Sequence, residues 1–138
     1  DQALGCATAA VDAETIDRIN ILQATRRAMT EAIRALPIRP DMALIDAVRL
    51  DEAGCTTVSV IRGDLLSYSI ACASIVAKVE RDRMMRELGE VYPQYGFAEH
   101  KGYAAPIHRE ALGEYGPTPH HRLTFRSVVP RVEEHASG

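Results

Sequence analysis

No apolar run in this chain approaches the roughly 18 residues needed to span a bilayer. No secretory leader is recognisable at its start. Cysteine is scarce: Cys6, Cys55 and Cys72 are the three present. Their number is odd and their spacings are wide, with no CxxC pair or Cys/His cluster of the kind that holds zinc. Cys6 and Cys72 lie among small apolar residues and are expected to be buried free thiols. A reducing, cytoplasmic setting is the matching expectation. An excess of one charge is also lacking. The net charge is −3, so no overall basic field attracts a polyanion. The balance is nevertheless uneven: residues 1–60 carry 6 Lys+Arg against 9 Asp+Glu, whereas residues 61–138 carry 10 against 10 and all five His. A polyanion partner would therefore meet a local patch in the second half. Neither an initiator Met nor an internal repeat is found. The chain starts at Asp1 and runs directly into an apolar segment, which reads as a piece of a longer polypeptide with part of the chemistry elsewhere.

What is present is ordinary for a globular protein: 138 residues, 46% hydrophobic and 25% charged. That length fits one domain with a real core. Residues 1–130 are expected to form it, with 131–138 a disordered tail. Ala3 to Val11, rich in Ala and Thr, reads as a strand. Asp12 offers a helix N-cap with Glu14 in the first turn. Ile16, Ile19, Leu22, Met29, Ile33 and Leu36 then follow near helical spacing. This helix is expected to break near Asn20 and to end before Pro37. Met42–Asp46 and Thr56–Ile61 read as strands, the second closed by Arg62-Gly63-Asp64. Ser67 or Ser69 caps a helix expected to reach about Leu88. Pro93, Gly96 and Gly102 mark an irregular loop. Pro106 to Tyr115 is a short helix, with Pro near its start and Gly116 past its end. An extended piece is expected from Phe125 to Val129. The order β-α-β-β-α-α indicates an α/β or α+β domain with a thin, incomplete sheet.

Asp46 and Asp64 each follow an apolar strand, at the end where open α/β sheets place their ligand sites. Convergent carboxylates repel unless a cation lies between them, and Mg²⁺ or Mn²⁺ suits such oxygen donors. The alternative is that each Asp caps a strand or the next turn. Along the following helix, Ala71, Cys72, Ala73, Ser74 and Ala77 are small enough for a neighbour to approach closely. Lys78 and Arg81 share one face, and Arg83 and Arg86 another. These are phosphate-binding candidates, against a solvated face paired with Glu80, Asp82 and Glu87. In the segment Gly96 to Tyr103, His100 and Lys101 supply donors and Tyr103 can stack on a sugar or base. The competing reading is a structural loop with a buried Tyr. His120-His121-Arg122 is a phosphate contact or a turn, because adjacent His side chains diverge and no third zinc ligand is evident. Asp51-Glu52-Ala53-Gly54 lies between two strands, and its carboxylates are expected to face solvent.

Several blocks resemble the bacterial ribonuclease HII family, the type 2 ribonucleases H. They are Ile16 to Thr25, Leu44-Ile45-Asp46, Gly63-Asp64, and Ser69 to Val79 with Arg81-Asp82. Tyr92 to Phe97, His100 to Tyr103, and Gly116-Pro117 to His121-Arg122 with Phe125 complete the set. The resemblance implies an RNase H-like fold, here an incomplete mixed sheet flanked by helices with its first strands missing. It implies an endonuclease that cuts RNA in RNA–DNA hybrids and at ribonucleotides embedded in duplex DNA, leaving 5′-phosphate and 3′-hydroxyl ends. It also implies four carboxylates holding two Mg²⁺ or Mn²⁺ ions. Asp46 and Asp64 match the third and fourth as catalytic metal ligands. The first two belong to an Asp-Glu-Ala-Gly-Arg-Gly motif absent here, as is the family's Asp-Ser-Lys segment. Asp51 to Gly54 continues as Cys55-Thr56 and does not replace that motif. Ala47 stands where the family usually has Gly. Tyr103 matches the Tyr that packs on a deoxyribose; Lys101, His100 and Lys78 remain nucleic-acid-binding candidates from the reading of the residues themselves.

On this reading the fragment alone is expected to be inactive and the intact protein monomeric, with no membrane partner. Two alternatives are a non-catalytic nucleic-acid-binding module and an interaction domain whose acids are caps.

Overall fold

The computed structural model describes residues 3–125 and 128. Helix α1 spans Ala13–Ile19 and α2 spans Ile21–Arg34. Asp12 caps α1 by accepting the Thr15 N–H at 2.7 Å. Asn20 makes the expected break. Its φ of 68° lies in the left-handed region that Asn tolerates better than most residues, and its side chain caps α2 through the Gln23 N–H at 3.1 Å. Helix α2 ends at Arg34, ahead of Pro37.

Strands β1 (Met42–Asp46) and β2 (Thr56–Val60) pair in parallel, Met42 opposite Thr56 and Asp46 opposite Val60. Residues 47–55 return the chain between them, a short path for a parallel connection. It is anchored inside: Leu50 and Ala53 are buried with Ile45, and Met29 and Ile33 of α2 pack against them. The Thr57 hydroxyl donates to the Leu50 carbonyl. Strand alternation puts Met42, Leu44 and Asp46 on the opposite face. There Met42, Leu44 and Val58 are exposed. The expected α/β class is found: a small sheet flanked by helices.

Helix α3 is Gly63–Leu66 and α4 is Tyr68–Val91. Ser67 caps α4, which runs one turn beyond the expected Leu88. A 3₁₀ turn at Pro93–Tyr95, α5 (Phe97–His100) and α6 (Pro106–Tyr115) follow. The segment read as an irregular loop thus contains two short helical pieces. Gly89 lets α5 dock on α4, because a Cβ there would meet the Ala98 Cβ and backbone nitrogen at 2.9 Å. Tyr95, Phe97, Ala111 and Leu112 form a second core, joined by Met85, Leu88 and Tyr92. Asp17 of α1 accepts the Leu123 and Thr124 N–H groups and the Thr124 hydroxyl, at 2.6, 3.2 and 2.6 Å. The Thr124 hydroxyl holds its carboxyl below the usual carboxylate range.

Three expectations are corrected. Ala3–Val11 forms no strand, since no neighbouring strand offers it a ladder among the described residues. Cys6 and Cys72 are exposed, Cys72 because residues 72–79 of α4 are left uncovered by the described residues. Asp64 does not end β2, which stops at Val60; it lies in the first turn of α3. The expected tail at 131–138 and most of the extended piece at 125–129 fall outside the described residues. No described helix is long and apolar enough to cross a membrane.

Candidate active site

The C-terminal end of the parallel pair carries Asp46, and Asp64 follows in α3. The Ala47 N–H donates to the Val60 carbonyl at 3.0 Å and extends the ladder one step past Asp46. Asp46 Oδ1 accepts the Gly63 N–H at 2.8 Å. Asp64 is the next residue, exposed at the start of α3. One hydrogen bond therefore ties the β1 acid to the backbone that presents the other acid. Gly63 is buried, and a Cβ on it would meet Ile70 Cδ1 at 2.5 Å and the Asp46 Cα at 3.5 Å. That close approach is why this position excludes a side chain.

Ala47 adopts φ 53°, in the left-handed region. An alanine there carries about 1–2 kcal/mol of steric cost. Glycine would relieve it while adding about 0.4–1 kcal/mol of unfolded-state entropy. Ala47→Gly is therefore expected to stabilise the chain by roughly 0.5–1 kcal/mol. A rise in the urea midpoint at constant slope would report it, and an unchanged or lower midpoint would show that the turn tolerates alanine.

The second part of the site is the loop after α5. Gly96, Lys101 and Gly102 all have positive φ, at 68°, 54° and 80°. His100 braces the loop with both ring nitrogens. Its Nδ1 accepts the Gly102 N–H at 3.1 Å, so Nε2 carries the proton and donates to the Tyr95 carbonyl at 2.6 Å. Lys101 folds its ammonium back to the Ala98 carbonyl. Tyr103 is 66% exposed, so the alternative of a buried Tyr is excluded. The Arg81 guanidinium lies 5.3 Å from the Tyr103 ring centroid and donates to the Lys101 carbonyl at 3.2 Å. Arg81 thus supports the loop from α4, a role its i,i+3 pairing with Lys78 only hinted at. Lys78 itself pairs with Asp82 at 3.0 Å on the exposed surface. Arg83 bridges Glu80 and Glu87, which raises its own pKa and lowers that of Glu80. The solvated-face reading describes these pairs, and exposed pairs of this kind contribute little stability. Asp51 and Glu52 face solvent, as expected.

The oxygen donors of Asp46 and Asp64 suit a hard divalent cation. Among the described residues no group of three or more His, Cys, Asp or Glu side chains could hold a metal ion.

Residues 3–128 match the family model for ribonuclease HII. The chain is 52% identical over 131 residues to the ribonuclease HII of Chloroflexus aggregans, covering 95% of this chain and 62% of that protein. It is 51% identical over 125 residues to that of Ruminiclostridium cellulolyticum, covering 91% of this chain and 49% of that protein. It is also 53% identical over 126 residues to that of Roseiflexus castenholzii, covering 91% and 56%. The chain thus spans about half to three fifths of the length of these relatives. Its fold matches the crystal structure of ribonuclease H2 from Pyrococcus horikoshii with a TM-score of 0.69, at 24% identity, over 86% of this chain and 64% of that one. With residues 3–128 matching the family model and relatives about half identical over nine tenths of its length, the chain belongs to the ribonuclease HII family.

Proposed function

We propose that this chain supplies two of the four metal-binding carboxylates, and the substrate-facing loop, of a type 2 ribonuclease H. That enzyme class cuts RNA in RNA–DNA hybrids and at ribonucleotides embedded in duplex DNA. The observation that carries the reading is the hydrogen bond from Gly63 to Asp46, which sets Asp46 beside the residue presenting Asp64. Asp46 and Asp64 would hold Mg²⁺ or Mn²⁺ together with acids outside this chain. What such ions supply is a more acidic water for in-line attack and a counter-charge for the leaving 3′ oxygen. The products would be 5′-phosphate and 3′-hydroxyl ends.

The chain's own residues orient and exclude. Asp46 keeps its carboxylate fixed through Gly63, so the anionic end of the sheet is set before substrate arrives. Tyr103 offers an exposed ring to a sugar next to the cleavage point. Arg81, beneath that ring, adds positive charge near the phosphates. Lys101 can release the Ala98 carbonyl and turn toward a phosphate at small cost, because its ammonium is exposed. His100 contributes by fixing the loop, since both its nitrogens are in use. With half the acidic set present, the 138-residue chain is expected to bind hybrid without cutting it.

Binding of a labelled RNA–DNA hybrid in EDTA, read by anisotropy, tests the loop. Base–aromatic stacking contributes about 1–3 kcal/mol, so Tyr103→Ala should weaken binding roughly ten- to a hundredfold. Tyr103→Phe should retain it. Equal losses in both variants would point to the hydroxyl and refute stacking.

A further inference from the structure

Behind the Tyr103 loop lies a row of buried histidines that the proposed chemistry does not use. His108 and His121 are 8% and 7% exposed, with their Nε2 atoms 2.9 Å apart. Their partners fix where the protons sit. His121 Nδ1 faces the Thr118 backbone N–H at 2.9 Å, and a backbone N–H can only donate. That nitrogen is therefore bare, and the neutral ring carries its proton on Nε2. His121 Nε2 must then donate to His108 Nε2. The His108 proton is left on Nδ1, which faces the Tyr103 carbonyl at 3.3 Å. The same carbonyl accepts the Ala105 N–H at 2.8 Å.

We propose that Thr118, His121 and His108 form a one-way hydrogen-bond relay that ends on the Tyr103 carbonyl and sets the orientation of the Tyr103 ring. His108 and His121 are thus positioning residues, acting through Tyr103. The inference rests on the reading that Tyr103 meets the hybrid.

The relay has a second consequence. A proton added to His108 Nε2 would face the His121 N–H head-on. A proton added to His121 Nδ1 would lose the Thr118 N–H and turn to the Thr118 Oγ1, also at 2.9 Å, which breaks the first link of the relay. The relay works only with both rings neutral. Burial holds both below the ordinary histidine value of 6.5, and neighbouring histidines act in the same sense. Facing them are the His100 ring, stacked on His108 at 4.7 Å, and His120 beside His121. Tyr95 packs on His121 and turns its hydroxyl to the Gly116 carbonyl, while Phe97 packs on both rings. No carboxylate bonds either ring among the described residues. Since the unfolded chain takes up these protons more readily, the stabilisation is held in full above about pH 6.5 and lost as pH falls through the depressed values.

Long-range proton–nitrogen correlation spectra of the 138-residue chain read the tautomers directly. His108 should appear with its proton on Nδ1 and His121 with its proton on Nε2. Acidification below pH 6.5 should speed exchange of the Ala105 amide, which donates to the Tyr103 carbonyl. It should also weaken hybrid binding about tenfold, roughly the loss of one base–aromatic stack. Added positive charge alone would strengthen binding to a polyanion, so the sign separates the two effects. His108→Gln keeps an acceptor and a donor but does not titrate. It should bind at neutral pH like the unaltered chain and weaken less in acid, keeping only the part that belongs to His121. His108→Leu should bind weakly at every pH. His108 protonated on Nε2, or a His108→Gln chain that weakens in acid as much as the unaltered chain, would overturn the relay. Absence of hybrid binding at any pH would overturn the nucleic-acid reading, while the tautomers and the Ala105 exchange still decide the relay.

Discussion

Replacing Tyr95 by alanine is expected to cost about 3–5 kcal/mol, within the usual range for truncating a fully buried aromatic. Tyr95 is 2% exposed and stacks on Phe97 with centroids 5.4 Å apart. It also packs against Tyr92, Tyr115 and His121. Truncation would open a void where α4, the 3₁₀ turn and α6 meet, a region too densely bridged to collapse onto it. Domains of this size are stable by about 5–15 kcal/mol, so much of the margin would go. Tyr95→Phe should cost only about 1 kcal/mol, the value of the bond to the Gly116 carbonyl. Urea unfolding of the two variants measures both. The loss should extend to the loop, because the Tyr95 backbone carbonyl holds His100. A truncation costing less than about 1 kcal/mol would mean that this cluster is not the core it resembles.

The largest functional effect should come from adding what the acidic pair lacks. Joining this chain to the segment of a relative that carries the Asp-Glu-Ala-Gly-Arg-Gly motif is expected to produce Mn²⁺-dependent cleavage of an RNA–DNA hybrid where the chain alone gives none. Mg²⁺ and Mn²⁺ need several fixed oxygen ligands, and a half set binds weakly. The joined segment should also improve solubility. Both strands have an open edge among the described residues, and Met42, Leu44, Ile75 and Val79 are 55%, 44%, 63% and 61% exposed. Such edges and apolar faces promote association between copies. Gel assays of cleavage with and without the segment, with Asp64→Asn as control, decide the matter. Robust cleavage by the 138-residue chain, abolished by Asp64→Asn, would show that another acid completes the site.

Local chemistry made part of this readable from sequence. The break at Asn20, the strand Met42–Asp46, the cap at Ser67 and the helix Pro106–Tyr115 are encoded by capping side chains, prolines and short apolar runs, which act within a few residues. The place of Asp46 at the end of β1 followed from the apolar run before it, whereas Asp64 lies in α3 and not at the end of β2. Other features depend on partners far along the chain. Ala3–Val11 has strand composition, yet a strand exists only when another offers its backbone. Cys6 and Cys72 look apolar, yet burial needs a neighbour to cover them.

The sequence by itself determined the family, the caps at Asp12, Asn20 and Ser67 and the residue types that chemistry would use, because each resides in a contiguous stretch. Only the tertiary structure decided which side chains are free. It ties both nitrogens of His100 to its own loop, leaves the Tyr103 ring exposed over Arg81, and turns His108 and His121 toward one another. Those outcomes depend on hydrogen bonds and packing between residues up to 21 positions apart in this half of the chain, such as Tyr95 and Gly116, and distances of that kind are set by the fold.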